Sequence, residues 1–126
     1  MKELTKAEEQ IMHILWKLEK AFVNDIVEKM PEPKPAYNTV STIVRILERK
    51  GFVGYKAYGK THEYFPLVQK EEYTSKFFNG FLKNYFDNSF QNMVSFFSKD
   101  KNLSSKEMEE IIKILESEVQ KTKQNE

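Results

Sequence analysis

Three prolines within five residues, Pro31, Pro33 and Pro35 in "PEPKP", forbid a helix from running through this stretch of the chain. A proline ring removes an amide donor and clashes with the preceding turn, so the helical patterns on either side must be separate elements. After the break, Val40, Ile43, Val44 and Leu47 recur at i, i+3, i+4 and i+7. That spacing predicts a helix over about 37–50 with one aliphatic face turned to a core. Gly51 stands where a left-handed C-terminal cap is expected.

Before the break, Thr5-Lys6-Ala7-Glu8 has the capping-box pattern, and Leu4, Ile11, Ile14, Leu15 and Leu18 share one helical face, with Trp16 at its edge. A first helix to about residue 18 follows. Val23, Ile26, Val27 and Met30 give a second, short one that ends at the prolines. Downstream, "FVGYKAYGKTHEYF" is rich in aromatic and β-branched residues around Gly59-Lys60, which predicts two short strands joined by a tight turn. Three helices followed by a hairpin is the order of a winged helix-turn-helix, so the expected fold class is mainly α with a small β-hairpin.

From Gln69 the composition changes, because seven of the ten phenylalanines lie within residues 77–97. Helices are expected over about 70–86 and 88–98. Ser104 to Glu107 forms a second capping box that opens a third, carrying Met108, Ile111, Ile112, Leu115 and Val119. The closing "KTKQNE" reads as frayed. So short a tail can hardly hide this many aromatics alone, so Phe77, Phe78, Phe81, Leu82, Tyr85, Phe86, Phe90, Met93, Phe97, Ile111 and Leu115 are assigned to a homodimer interface. The alternative is a small-molecule pocket between Phe-rich helices. The expected domains are therefore 1–68, a winged-helix DNA-binding domain, and 69–126, a helical dimerisation domain.

Net charge is only +1, yet its distribution is uneven. Residues 34–62 hold six basic side chains (Lys34, Arg45, Arg49, Lys50, Lys56, Lys60) against the single acid Glu48, net +5. If the aliphatic residues of the third helix face inward, positions 38, 41, 42, 45 and 49 face outward. A stripe of short polar side chains ending in arginines suits the DNA major groove, which is roughly 12 Å wide. Asn38 can pair with an adenine edge, Thr39 and Thr42 can touch thymine methyls or phosphates, and Arg45 can reach guanine or the backbone. Ser41 and Arg49 complete the stripe. Lys56, Lys60 and His62 would close over an adjacent backbone segment from the hairpin, while Tyr37 either packs the loop or touches a phosphate. The competing reading is an ordinary solvated helix face on a protein-interaction module. The coincidence of stripe, charge island and hairpin within the same 29 residues favours double-stranded DNA.

Other chemistry finds little support. His13 and His62 have no metal-ligand spacing, no glycine-rich phosphate loop occurs, and nothing nominates a nucleophile. No enzymatic activity, cofactor or metal is expected. With no cysteine there is neither a disulfide nor a thiolate metal site. The N-terminus lacks a signal-peptide core and no apolar run reaches membrane-spanning length, so a cytoplasmic protein is expected.

The segments "LTKAEEQIMHILW", "YNTVSTIVRILERKGFV", "GKTHEYFPLV" and "FFSKDKNLSSKEMEEIIKIL" occur in order and together resemble the penicillinase and methicillin-resistance repressor family over nearly the whole chain. The resemblance implies a winged helix that reads a palindromic operator, a helical homodimerisation region, and repression of the genes transcribed from that operator. In the family's best-known members a membrane-embedded sensor metalloprotease triggers repressor cleavage. The family's recognition-helix pattern, K-T-I-x-T-L-I-x-R-L, falls on residues 38–47. Thr39 and Thr42 match; Asn38 stands in place of Lys, and the arginine occurs one place early, at Arg45, with Ile46 in its usual position. The family's Asn-Phe cleavage bond falls on Phe96-Phe97, where the Asn is replaced. Copper-responsive relatives use C-terminal cysteines that this chain does not have.

Overall fold

A computed structural model describes residues 3–100 and 103–126, the side chain of residue 100 excepted. Thr5 opens the first helix, α1 (Lys6–Leu18), as its sequence pattern requires. Its hydroxyl accepts from the Glu8 amide at 3.2 Å, and a Glu8 carboxylate oxygen accepts from the Thr5 amide at 2.8 Å. Then come β1 (Ala21–Phe22), α2 (Val23–Lys29), α3 (Tyr37–Arg49), and the hairpin strands β2 (Val53–Tyr58) and β3 (Thr61–Pro66). Helices α4 (Lys70–Phe86), α5 (Phe90–Asp100) and α6 (Ser105–Asn125) complete the chain. The fold class is that expected: mainly helical, with a winged-helix order of elements.

The sheet holds one strand that periodicity did not reveal. It has the order β1-β3-β2, with Ala21 opposite Tyr64 and Phe22 opposite Glu63. Two residues are too few to show an alternation, so β1 left no sequence signal. In the hairpin, Tyr55 faces Tyr64, Lys56 faces Glu63 and Ala57 faces His62 across antiparallel strands.

Contacts divide the chain into two compact units, Met1–Phe78 and Asn79–Glu126. The first has a continuous core in which Ile11, Met12, Leu15, Ile26, Val40, Val44, Leu47, Phe52 and Val53 are essentially removed from solvent. Each such side chain contributes about 1.5–3 kcal/mol of transfer free energy. Tyr73, on the first turns of α4, belongs to this core: its hydroxyl accepts from the Leu4 amide at 3.2 Å and its ring meets Phe52 edge-on. Trp16 donates its indole N–H to the Val68 carbonyl at 2.8 Å, fixing the chain just before α4.

The second unit is built differently. Phe81, Phe86, Phe96 and Phe97 form a chain of ring contacts with centroids 5.4–6.2 Å apart. Yet none of its described residues is buried. Tyr85 is 73% exposed and Ile114 63%, and Ile111, Ile112, Leu115 and Val119 are also open. The C-terminal hexapeptide is helical to Asn125, not frayed: Lys121 pairs with Glu118 and the Thr122 hydroxyl donates to the Glu118 carbonyl. Basic residues here also suit the negative end of a helix.

Candidate nucleic-acid interface

Helix α3 starts directly after Pro35, with Ala36 extended at the cap and no side chain satisfying its first amides. Its end is more firmly made. The Phe52 amide donates to the Leu47 carbonyl at 2.9 Å and the Gly51 amide to Glu48 at 3.0 Å, with Gly51 at φ +82°. This is a Schellman termination, and its apolar clasp is Leu47 with Phe52, both in the core. Anchored by that clasp and by buried Val40 and Val44, the helix presents Asn38, Thr39, Thr42, Arg45 and Arg49 to solvent. Ile43 is only partly buried, packed on the margin of the core.

Ser41 departs from the expected outward stripe, being only 7% exposed. The helical wheel explains this: Ser41 lies about 60° from Val44, on the flank of the buried face, whereas Asn38, Thr42 and Arg49 lie opposite it. Its hydroxyl accepts from Arg45 Nη2 at 3.2 Å. The Thr42 hydroxyl donates to the Asn38 carbonyl at 2.9 Å, which uses its one donor. What Thr42 still offers a base edge is a lone pair and a methyl group.

Two cations of the charge island are committed inside the fold. Lys50 Nζ lies 2.7 Å from Glu8 Oε1, and Lys34 Nζ donates to the carbonyls of Glu28 and Met30, closing the end of α2. Burial alone would raise the Glu8 carboxyl. The hydrogen bonds from Lys50 and from the Thr5 amide, with the Lys50 charge, outweigh it and hold the group below the ordinary carboxylate value. The surface available to a polyanion is therefore carried by Arg45, Arg49, Lys56 and Lys60.

The hairpin separates residues that the sequence grouped. His62 is half-buried, stacked on Tyr55 with ring centroids 4.1 Å apart and 9° between planes, and it meets Tyr64 edge-on. Lys56 alternates to the other face, where its ammonium lies 5.3 Å from the Tyr58 ring centroid, and Tyr58 packs on Phe22. Lys56 thus does not join His62. Lys60 and His62 instead border a cleft of about 270 Å³ whose lining also includes Tyr37, Ser41, Arg45 and Tyr64. Tyr55 and Tyr64 were not among the expected site residues; the period-two alternation of the hairpin, which places them on the His62 face, was the signal available.

The remaining expected residues fall on α4, α5 and α6. Phe77, Tyr85, Phe90, Phe97, Ile111 and Leu115 are exposed, and Phe78, Phe81, Leu82, Phe86 and Met93 are half-buried. Phe96 and Phe97 lie within α5, so a protease, which takes its substrate extended, would need α5 to unwind there. His13 is exposed, near Glu9 and edge-on to Trp16. Among the described residues no group of three or more His, Asp or Glu side chains could hold a metal, and no helix is long and apolar enough to cross a membrane.

Comparison with known proteins agrees with this geometry. A family model described as penicillinase repressor matches residues 4–117. The methicillin resistance regulatory protein MecI of Staphylococcus aureus strain N315 is 30% identical over 114 residues, covering 90% of this chain and 93% of that protein. The penicillinase repressor of Bacillus licheniformis is 23% identical over 123 residues, 97% of this chain and 96% of its own. Among solved structures, a chain of the hsRosR-S4 complex superposes with a TM-score of 0.55, covering 96% of this chain and 94% of that one at 14% identity, a likeness of fold. With nine-tenths of its length matched by the family model and a winged helix presenting a polar, basic face, the chain belongs to the penicillinase repressor family of DNA-binding transcriptional repressors.

Proposed function

We propose that the protein represses transcription as a homodimer, with α3 of each protomer in the major groove of a pseudo-palindromic operator and the hairpin wing against the flanking backbone. The observation that carries this reading is the anchored α3, whose core face holds Val40, Val44 and Leu47 while Asn38, Thr39, Thr42 and Arg49 stand open beside a basic wing. Two such helices related by a two-fold axis read half-sites separated by whole helical turns. Residues 1–68 serve DNA binding and 69–126 dimerisation.

Dimerisation is supported by the second unit, whose aromatic and aliphatic side chains stay open in a single chain. A second copy burying them would supply the core this unit lacks. Occupying the operator excludes polymerase from the promoter, and the work is done in the cytoplasm. The printed names of the relatives point to genes of β-lactam resistance as the regulated set, and a membrane sensor metalloprotease is the partner proposed to relieve repression. Light scattering together with anisotropy titration of a duplex enriched from a random library tests this reading. A dimer that prefers the enriched duplex and loses affinity steeply with salt is expected; a monomer at micromolar concentration, or equal binding to a scrambled duplex, would contradict it.

A further inference from the structure

We propose that Arg45 does not read a base: with Lys60 and His62 it clamps one duplex phosphate in the cleft between α3 and the wing, leaving sequence discrimination to Asn38, Thr39 and Thr42. The proposal deepens the repressor reading above and rests on it.

Arginine discriminates a base best by presenting two parallel N–H groups to guanine O6 and N7, which requires a fork free to extend into the groove. Here Nη2 is turned back one helical turn onto Ser41 Oγ at 3.2 Å, and Ser41 is itself held on the flank of the core. That bond draws the guanidinium along the helix toward the cleft. The cleft gathers what a phosphodiester requires. Arg45 and Lys60 supply charge, His62, Tyr37 and Tyr64 supply ring donors, and no acidic side chain is among the lining residues. Burial first, then the nearby Glu48 carboxylate, raises the Tyr64 phenol above its ordinary value against the pull of Arg45, so it remains a neutral donor.

Size and position select the occupant. The volume of about 270 Å³ falls just below the roughly 300–1,000 Å³ typical of pockets for drug-sized ligands, which favours a single phosphate group over a larger effector. The cleft also runs from the flank of α3 to the wing tip, where a helix seated in the major groove brings one strand of the backbone.

Methylphosphonate substitution tests the clamp. A series of otherwise identical duplexes, each with one neutral linkage, is titrated by fluorescence anisotropy with wild type, Arg45→Ala and Lys60→Ala, alongside single base-pair variants of the same duplex. In wild type, one neutralised linkage in each half of the operator is expected to weaken binding about tenfold. Arg45→Ala should weaken binding to every base-pair variant by one common factor and lose its sensitivity to that linkage alone. Its log–log salt slope should become about 0.9 less negative. Lys60→Ala should lose sensitivity to the same linkage. If Arg45→Ala instead flattens the preference at one base pair and keeps every linkage sensitivity, Arg45 reads a base and the proposal is overturned; Lys60→Ala losing a different linkage overturns the shared clamp. A wild-type protein that fails to prefer the enriched duplex would overturn the repressor reading itself, a failure visible before any variant is compared.

Discussion

Lys50 Nζ and Glu8 Oε1 lie 2.7 Å apart, joining the last turn of the reading helix to the first turn of α1. The Glu8 side chain is only 5% exposed, so this pair orients α3 from within the domain. Because the same carboxylate closes the α1 capping box, one residue supports two helix ends.

Replacing Glu8 by Gln should therefore cost about 1–3 kcal/mol of stability, more than a surface ion pair, because it leaves a partly buried ammonium without its counter-charge. The pH dependence has a defined sign. A carboxyl held below its ordinary value contributes stability that is fully present above the unfolded value of about 4.3, and it is lost as pH falls through the folded value. Thermal unfolding of wild type from pH 7 to pH 3 should fall along that limb, while Glu8→Gln starts lower and falls less. Parallel curves for the two proteins would contradict the assignment.

Gly51 supports a second prediction. Its φ is +82° and a Cβ built there meets nothing within 4 Å, so Gly51→Ala is penalised for backbone conformation and not for space. A loss of about 1 kcal/mol is expected in urea unfolding, with Gly51→Asn recovering part of it because Asn tolerates the left-handed region. Equal losses for both variants would point to some other cause.

Salt titration separates the working cations from the structural ones. Arg49→Ala should make the log–log slope of DNA binding about 0.9 less negative, as one phosphate contact does. Lys34→Met should leave the slope unchanged and lower stability by about 0.5–1.5 kcal/mol, since its ammonium is engaged by the Glu28 and Met30 carbonyls. A slope change for Lys34→Met equal to that of Arg49→Ala would refute the distinction.

What the sequence disclosed, and what it did not, follows from the range of each interaction. Capping boxes at Thr5 and Ser104, the Schellman glycine and the aliphatic face of α3 are local patterns, and all were legible. Strand β1 was not, because its pairing with Tyr64 and Glu63 depends on residues some 40 positions away. The commitment of Lys50 was hidden for the same reason: Glu8 is 42 positions distant. Ser41 was misplaced because a stripe drawn at helical spacing ignores how far the neighbouring core reaches around the cylinder. The Arg45 side chain followed it, since its bond to Ser41 exists only when Ser41 is held against the core.

The central claim is that the open face of α3 distinguishes one duplex sequence from another. Its most direct test is the ratio of affinities for an enriched duplex and its scrambled counterpart, measured for wild type and for the Thr39→Ala/Thr42→Ala double variant at one salt concentration. The account predicts that this ratio falls by about 10²-fold, as two lost base contacts of about 1–3 kcal/mol each would cause, with thermal stability and oligomeric state unchanged. A double variant that keeps the wild-type ratio would contradict it.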